Sequence, residues 1–490
     1  MTSPIRFFHQ GRTVEVAGVH PTRSVLDWLR EDAHCTGTKE GCNEGDCGAC
    51  TVVIGEPAGR VSGSASADAT VVGGLSLRTV NACIQFLPTL DGKALFTVED
   101  LAGPGRALHP VQEAMVACHG SQCGFCTPGF VMSLWSAYER HCEHGTRPTR
   151  RELAHELSGN LCRCTGYRPI LDAGERMFEL GEIRLDTRPV LEALATIAPR
   201  DLDALAALYE QRPGARLLAG ATDIGLWVNK QLQALPELIY LGNVAGLRRI
   251  ETRADGTLSI GAAASLEDAW AALCERHPSL REVALRFASP PVRNAGTMGG
   301  NVANGSPIGD SPPVLMALGA RLLLRRGARV RTLPLDDFYV DYMKNRLEAG
   351  EFVQALRVPA APLGAQVRAY KISKRYDCDI SAVCAGLSIA LDDAGAVRDV
   401  RLAWGGMAAI VRRAAGAEAA LAGRAWDEAA LRAAQAALAG DFTPLTDIRA
   451  SAAYRLQVAQ NLLRRFWLET RPDGALPESA VSVWSREVLA

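Results

Sequence analysis

Three cysteines lie within nine positions of one another near the start of the chain, in the stretch GCNEGDCGAC. They are Cys42, Cys47 and Cys50, and a fourth, Cys83, follows in RTVNACIQF. This C-x4-C-x2-C…C pattern is the plant-type spacing for a [2Fe-2S] cluster. The interleaved glycines suit a loop that wraps a cluster closely, because glycine adopts positive φ without strain. Zinc is the alternative, although zinc sites usually pair two short C-x2-C turns.

A second group of four cysteines forms two close pairs. Cys123 and Cys126 lie in GSQCGFCTPGF, and Cys162 and Cys164 lie in LSGNLCRCTGYRPI. An apolar helix is predicted to follow the first pair, and another helix is predicted to lead into the second pair. The four thiols then form a cage at helix ends. Ligand count alone permits zinc as well as an iron-sulfur cluster in this cage.

Two glycine-rich segments further along the chain are candidates for holding a nucleotide cofactor. Residues 218–226, LAGATDIGL, are predicted to be a turn that enters a helix, and such a turn offers consecutive N–H groups to a diphosphate. The turn is not G-x-G-x-x-G, so a Rossmann site is not indicated, and ordinary tight packing would also explain it. Residues 286–320 are predicted to be long and irregular, which is costly unless the segment wraps a ligand.

Composition indicates a folded, multidomain protein. The chain has 490 residues, 48% of them hydrophobic, and its 53 Lys and Arg balance 54 Asp and Glu, so no polyanionic partner is indicated. The first residues do not have the pattern of a signal peptide, and no apolar run reaches the roughly 18 residues of a membrane span. We therefore expect a cytoplasmic protein, in which the clustered cysteines among its fourteen bind metal rather than form a disulfide framework.

Hydrophobic periodicity supports this domain organisation. IRFFHQGRTVEV alternates like a hairpin, SVLDWLRED is typical of a short amphipathic helix, and CTVVIG resumes a strand after the cysteine loop. The stretch EPAGRVSGSASADATVVGG has no periodicity and is predicted to be a flexible excursion. After the second cysteine group the pattern becomes α/β, and the last part of the chain alternates strands with Ala-rich helices.

The stretches GTKEGCNEGDCGAC, VNACIQ, GSQCGFCTPGF and NLCRCTGYRPI together resemble the molybdenum hydroxylases, the xanthine dehydrogenase and aldehyde oxidase family. The resemblance implies a [2Fe-2S] cluster in the second cage as well. It also implies a multidomain α+β chain. The expected parts are a β-grasp [2Fe-2S] ferredoxin-like domain in 1–86, a helical-bundle [2Fe-2S] domain in 87–175, a linker in 176–194, an α/β FAD-binding domain of the vanillyl-alcohol oxidase (PCMH) type in 195–362, and a C-terminal α+β domain like that of the CO dehydrogenase flavoprotein in 363–490.

The same resemblance assigns cofactor contacts to individual residues. Those implied for FAD are Leu218, Ala219, Gly220, Ala221, Thr222, Asp223, Ile224, Gly225, Leu226, Phe287, Thr297, Asn301, Asp310, Val353 and Lys371. Within this set Asp310 is expected at the ribityl or adenine end. Phe287 could instead be a core aromatic and Lys371 a solvated charge. Gln122 is implied to meet the pterin of a molybdenum cofactor on a partner, although a capping or surface amide would also explain it.

The resemblance implies an electron-transfer protein without catalytic residues of its own. Electrons would come from a molybdopterin-binding partner chain, pass through two [2Fe-2S] clusters to FAD, and leave on NAD+, in a heterotetramer with two copies of each chain. Three alternatives stay open: a related hydroxylase for aldehydes or N-heterocycles, a stand-alone NADH reductase component, and a zinc-stabilised interaction protein. The remaining cysteines are expected to be thiols without chemistry: Cys35, Cys118, Cys142, Cys274, Cys378 and Cys384.

Overall fold

The structure is a computed structural model that describes residues 4–60, 70–103, 107–197 and 201–481. Residues 61–69 of the predicted excursion 56–74 lie outside the described residues, and its described ends include the end of a strand (Thr51–Pro57), a 3-10 turn (Ala58–Arg60) and a further strand (Thr70–Val72). Among the residues that are described, no helix is both long enough and apolar enough to cross a membrane.

The first domain is a six-stranded sheet in the order β2-β1-β6-β3-β5-β4. Strands β1 and β6 are parallel and the other neighbours are antiparallel. The predicted hairpin, helix and strand are confirmed. The elements are β1 (Ile5–His9), β2 (Arg12–Val16), α1 (Val25–Asp27) with a π-helical continuation (Trp28–Asp32), β3 (Thr51–Pro57), β4 (Thr70–Val72), β5 (Leu75–Asn81) and β6 (Ala94–Phe96).

The second domain is helical, and three of its helices begin with a proline in the first turn, where the missing N–H costs nothing. The helices are α2 (Pro110–Ala117), α3 (Thr127–His144), α4 (Arg150–Glu156) and α5 (Arg168–Arg176). The predicted linker contains a further helix, α6 (Arg188–Ala195), which sequence analysis missed. Its Val190 and Leu194 are buried against the first two domains, so much of the linker is packed structure.

The third domain has a parallel pair of strands, β7 and β8, beside a five-stranded antiparallel sheet in the order β12-β11-β15-β10-β9. Its elements up to α10 are α7 (Leu202–Gln211), β7 (Arg216–Leu218), α8 (Ile224–Asn229), β8 (Leu238–Tyr240), α9 (Ala245–Arg248), β9 (Ile250–Thr252), β10 (Leu258–Gly261) and α10 (Leu266–Arg276). The remaining strands are β11 (Arg321–Arg326), β12 (Arg329–Pro334), β13 (Tyr339–Asp341), β14 (Lys344–Asn345) and β15 (Phe352–Val358).

The expectation that residues 286–320 are irregular is wrong. The segment consists mainly of short helices joined by tight turns: the end of α11 (Arg281–Arg286), then α12 (Pro290–Ala295), α13 (Met298–Asn304) and α14 (Ser311–Ala317). The glycines and prolines that suggested irregularity are helix boundary signals here. Proline occupies the first turn of α12 and α14, and Gly305 ends α13 in the left-handed conformation at φ +70°.

The C-terminal domain is a four-stranded antiparallel sheet in the order β16-β17-β18-β19, covered by helices. Its elements are β16 (Gln366–Ile372), β17 (Val383–Leu391), β18 (Val397–Gly405), β19 (Arg412–Arg413), α15 (Ala415–Leu421), α16 (Glu428–Asp441), α17 (Ala452–Thr470) and α18 (Glu478–Val481). Arg455 of α17 is buried and donates to the carbonyls of Ala382 and Gly406, which ties the last long helix to the sheet.

Two of the hydrophobic cores extend across domain boundaries. One face of the first sheet packs on α1, whereas its other face shares a core with the helical domain, in which Val53 and Phe96 join Trp135. In the same way Val367 and Ala403 of the C-terminal sheet belong to the core of the third domain. The cysteine domains therefore form one packed unit, and so do the last two domains.

Buried ion pairs join these two units. Arg78 of the first sheet donates to both carboxylate oxygens of Asp268 in α10, at 2.8 and 2.9 Å. Nearby, Glu56 pairs with Lys93 at 3.2 Å and with Arg248 of α9. Burial alone would raise the pKa of Glu56, but the two cations outweigh burial and hold that pKa well below its usual range.

Removing Arg78 should destabilise the protein strongly. Arg78→Ala leaves the Asp268 carboxylate buried without its cation, a loss worth about 3 kcal/mol or more. Thermal unfolding should show the drop, whereas Arg78→Met/Asp268→Leu should stay close to the wild type because no charge is left unpaired. The control is Arg432→Ala, which removes an exposed pair with Glu428 and should barely move the melting temperature. Equal effects of Arg78→Ala and Arg432→Ala would contradict this reading of the interface.

Candidate functional site

The four cysteines of the first set lie together. Cys42, Cys47 and Cys50 belong to the loop before β3, and Cys83 follows β5. The Cys42 thiol is within hydrogen-bonding reach of Cys47 and Cys83, and Cys83 is within reach of Cys50. The contacts with Cys47 and Cys83 lower the pKa of Cys42, and the same contacts raise the pKa of Cys47 and of Cys83.

The backbone around this first cage fits an iron-sulfur cluster. Gly45 and Gly48 have φ of +79° and +70°, and the N–H groups of Asp46 and Cys47 each lie 3.4 Å from the Cys42 sulfur. Sulfur atoms of a cluster and its ligands accept such N–H bonds, which tune the reduction potential. Three thiol donors from one tight loop and a fourth from the residues after β5 match the donor set of a [2Fe-2S] centre.

The second cage has the same donor set but a different exposure. The Cys123 thiol contacts Cys164, and the Cys126 thiol contacts Cys162. The Cys162 sulfur accepts hydrogen bonds from the N–H groups of Cys164 and Thr165, both at 3.4 Å. Cys162 is buried, whereas Cys123 and Cys164 are exposed at the protein surface. This cage therefore has one side in the protein and one side open.

The two cages meet through the main chain. The N–H of Leu161, the residue before Cys162, donates to the carbonyl of Cys47 at 2.9 Å. Asn160 is buried and donates to the carbonyl of Gly48 at 3.1 Å. A methyl group on Gly48 would lie 2.2 Å from a backbone oxygen of Gly159, so only glycine permits this approach. A ligand residue of the first cage is thus one hydrogen bond and one residue away from a ligand of the second.

The first cage also contacts the third domain directly. Asn229, at the end of α8, donates to the carbonyl of Cys83 at 2.8 Å. Lys230 donates to the carbonyl of Cys42 at 2.6 Å. A methyl group on Gly225 would lie 2.8 Å from the carbonyl oxygen of Ile84. The helix that follows the candidate diphosphate turn therefore also holds the cysteine loop.

The structure brings the two candidate FAD segments together. Gly220 in the turn 218–226 packs so closely on α12 that a methyl group there would lie 1.9 Å from the carbonyl oxygen of Ala295. Ala221 has φ +59°, and burial raises the pKa of Asp223. Asn301 of α13 has a buried side-chain oxygen with no hydrogen-bond partner among the described residues. An acceptor in that position needs a donor from a bound group, and the N–H and hydroxyl groups of FAD supply such donors.

For the candidates Thr297, Phe287 and Val353, contacts within the protein already account for their positions. The Thr297 hydroxyl accepts the N–H of Gly300 and so caps α13. Phe287 and Val353 are buried in the main core of the third domain, where Phe287 lies 6.0 Å from the Trp270 ring. Burial in that core accounts for Phe287 as an ordinary core aromatic, so its flavin contact stays a prediction.

Asp310 and Lys371 form a buried ion pair with each other at 2.6 Å. The second oxygen of Asp310 accepts the hydroxyl of Ser381 at 2.6 Å. Both carboxylate oxygens thereby have a partner inside the protein, and the expected role of Asp310 at the ribityl or adenine end stays a prediction. Lys371 is 3% exposed, so the alternative of a solvated charge is wrong.

Gln122 and the spare cysteines complete the sequence-derived set. Gln122 is exposed beside Cys123 at the open side of the second cage. None of the fourteen cysteines forms a disulfide. Burial raises the pKa of Cys35 to about 11, which suits a small hydrophobic residue better than a nucleophile. The Cys378 thiol faces the carbonyl of Ser158 at 3.5 Å, across the boundary with the helical domain.

Sequence reasoning missed the residues that connect the cages. Asn160 and Leu161 stand in the NLCRC stretch, but only the cysteines there were assigned a role. Asn229 and Lys230 follow the candidate turn and carry no motif. Their importance comes from carbonyl contacts across domains, and no local pattern reports such contacts.

Comparison with known proteins agrees with this geometry. Residues 7–84 match the 2Fe-2S iron-sulfur cluster binding domain, and residues 97–175 match the [2Fe-2S] binding domain. Residues 192–361 match the FAD binding domain in molybdopterin dehydrogenase, and residues 368–470 match the CO dehydrogenase flavoprotein C-terminal domain. These matches favour iron and sulfur over zinc in both cages.

Individual relatives give the same picture. The chain is 31% identical to xanthine dehydrogenase of Emericella nidulans over 94% of its own length and 38% of that protein. It therefore spans little more than a third of this curated relative. Among solved structures, carbon monoxide dehydrogenase from Hydrogenophaga pseudoflava is 30% identical with a TM-score of 0.51, and the match covers 55% of this chain and 93% of that chain. Quinoline 2-oxidoreductase from Pseudomonas putida 86 is 26% identical with a TM-score of 0.51, over 57% of this chain and 97% of that one.

The fold and the site together are those of an electron-transfer iron-sulfur flavoprotein. The chain belongs to the molybdenum hydroxylase family, of which it carries the iron-sulfur and FAD domains.

Replacing one ligand should remove one cluster and leave the rest of the protein intact. We expect four irons, four sulfides and one FAD per wild-type chain, and about half of the iron in Cys47→Ser. Paramagnetic resonance of the reduced protein should lose one of two signals, with FAD still bound. Cys35→Ser is the matched control, because this buried thiol lies outside the cage and should retain both signals. Two intact signals in Cys47→Ser would show that the ligand assignment is wrong.

Proposed function

We propose that the chain is the small, iron-sulfur and FAD subunit of a bacterial-type xanthine dehydrogenase. Its partner would be a molybdopterin-binding large subunit that oxidises hypoxanthine to xanthine and xanthine to urate, in purine catabolism. Electrons would pass from the partner to the cluster of the second cage, then to the cluster of the first cage, then to FAD and NAD+. Each cluster carries one electron, whereas FAD takes two and returns them as hydride. We expect an α2β2 heterotetramer in the cytoplasm.

One observation carries the proposed order of electron flow. The exposed Cys164 and the buried Cys162 belong to the same cage, and Leu161 links that cage to Cys47 by a hydrogen bond of 2.9 Å. Asn229 then links Cys83 to the third domain. Hydrogen bonds therefore join the second cage to the first cage, and the first cage to the FAD-binding domain.

The surface around the open cage supports docking of a partner chain. Exposed apolar side chains flank the cage cysteines in the sequence: Phe125, Leu161 and Tyr167 are exposed by 47, 46 and 38%. Apolar residues collected around a functional group are typical of an interaction surface. Gln122 lies on the same side, which fits the proposed contact with the pterin of the partner.

Two alternatives concern the substrate and the class of enzyme. The likeness to quinoline 2-oxidoreductase and to carbon monoxide dehydrogenase keeps another molybdenum hydroxylase open, for an N-heterocycle, an aldehyde or carbon monoxide. We favour xanthine because the xanthine dehydrogenase of Emericella nidulans aligns with 94% of this chain. A stand-alone NADH reductase component is disfavoured, because it would need neither the second cage nor the apolar surface around it.

Purification from the native host tests the proposal. We expect a brown complex in which a large molybdopterin-bearing chain accompanies this chain. The flavin and iron-sulfur absorbance should bleach with NADH and with xanthine. Turnover of a heterocycle or an aldehyde, with no turnover of xanthine, would favour the related hydroxylases. Bleaching by NADH in a protein without a molybdenum partner would favour the reductase.

Charge placed on the apolar surface should block association with the partner. Phe125→Asp introduces a carboxylate beside the open cage without touching a ligand, so the large chain should be lost on gel filtration while iron and FAD contents stay unchanged. Leu363→Asp is the matched control, because Leu363 is 90% exposed in the loop before β16. Normal assembly of Phe125→Asp would exclude this surface as the docking site.

A further inference from the structure

Three buried polar side chains form a closed triangle between the third and C-terminal domains. Lys371 Nζ lies 2.6 Å from Asp310 Oδ2 and 2.8 Å from Ser381 Oγ. Ser381 Oγ lies 2.6 Å from Asp310 Oδ1. The side chains of Lys371 and Asp310 are 2 and 5% exposed, and Ser381 is 2% exposed. Charges this far from water are tolerated only when each is paired and hydrogen-bonded.

The donors and acceptors of the triangle are fixed by chemistry. An ammonium group only donates, so Ser381 accepts from Lys371 and must send its own proton to Asp310. Lys371 has three N–H groups, of which Asp310 and Ser381 take one each. No other acceptor for the third N–H is found in the described part of the chain. The ammonium is therefore held by two partners and has one donor left.

The positions of the three residues in the fold show what the triangle controls. Asp310 precedes α14 but makes no capping bond to that helix. Lys371 is the second-last residue of β16, and Ser381 comes two residues before β17. The loop between them is closed by Ala382 N, which donates to the carbonyl of Ile372 at 2.8 Å. Ser381 therefore holds Lys371 at the base of the loop between β16 and β17.

We propose that Ser381 is a positioning residue for the flavin: it holds Lys371 so that the third ammonium N–H stays available to the flavin that would bind beside it. This inference rests on the proposed FAD site, in which Lys371 contacts the flavin. A cation fixed beside the ring favours the added negative charge of reduction, and fixed groups do this better than mobile ones. Ser381 itself need not touch FAD, and Asp310 serves as the counter-charge of Lys371.

Ser381→Ala in the full chain tests this role. The variant should bind FAD on the order of tenfold more weakly, because a hydrogen bond to a charged group is lost. Its flavin should also be reduced at a lower potential, while the potentials of both clusters, measured in the same titration, stay unchanged. Ser381→Thr keeps the hydroxyl and should restore both values. Ser388→Ala is the matched control, because Ser388 is a buried serine of β17 outside the triangle.

A double-mutant cycle separates positioning from mere loop packing. Lys371→Met alone would strand the Asp310 carboxylate, so the pair is neutralised together as Asp310→Asn/Lys371→Met. If Ser381 acts through Lys371, adding Ser381→Ala to this background should change neither FAD affinity nor flavin potential. An equal loss in both backgrounds would overturn the proposal, as would wild-type flavin properties in Ser381→Ala. Iron content and the cluster signals report whether each variant has folded.

The outcomes for the two proposals are distinct. If NADH reduces the flavin of the wild-type chain but no molybdenum-bearing partner is found, the proposed function is contradicted and the Ser381 test stays valid. A wild-type complex that turns over xanthine, combined with an unchanged flavin in Ser381→Ala, contradicts the role of Ser381 and leaves the function in place.

Discussion

The two cysteine cages meet backbone to backbone, and the rest of the structure depends on that contact. Side chains at the contact would force the cages apart, since a methyl group on Gly48 or Gly129 would lie 2.2 or 2.1 Å from a backbone oxygen. The buried Asn160 satisfies the polar groups at the contact: it donates to the carbonyl of Gly48 and the hydroxyl of Thr51, and it accepts from Ser133. The separation of the two cages is therefore set by main-chain geometry, which side-chain motion cannot vary.

The third domain also fixes its own position relative to the first cage. Its helix α8 holds the carbonyls of Cys42 and Cys83, and the buried pair Arg78–Asp268 fixes the same two domains from another side. Breaking that pair is costly, because either charge would stay buried alone. Electron transfer between centres needs distances that do not fluctuate. The shared cores and buried pairs provide such distances without any cofactor as a bridge.

Much of this architecture follows from local sequence. Cysteine spacing predicted both cages, and periodicity predicted the hairpin, the first helix and the turn at 218–226. The prediction failed for 286–320, where glycine and proline mark helix boundaries instead of irregular chain, and it did not include the ion pair of Asp310 with Lys371, which lies 61 residues away. Pairings of this kind depend on how distant elements pack, and one sequence has no local pattern that records them.

The two cages differ in burial, and this difference bears on the direction of electron transfer. In the first cage Cys50 and Cys83 are buried, and the loop carbonyls are held by the third domain. In the second cage Cys123 and Cys164 are exposed. A centre at the surface can reach a partner more readily than a centre whose loop is held by a neighbouring domain. This difference in burial supports the proposal that the second cage is the outer end of the relay and the first cage its interior step.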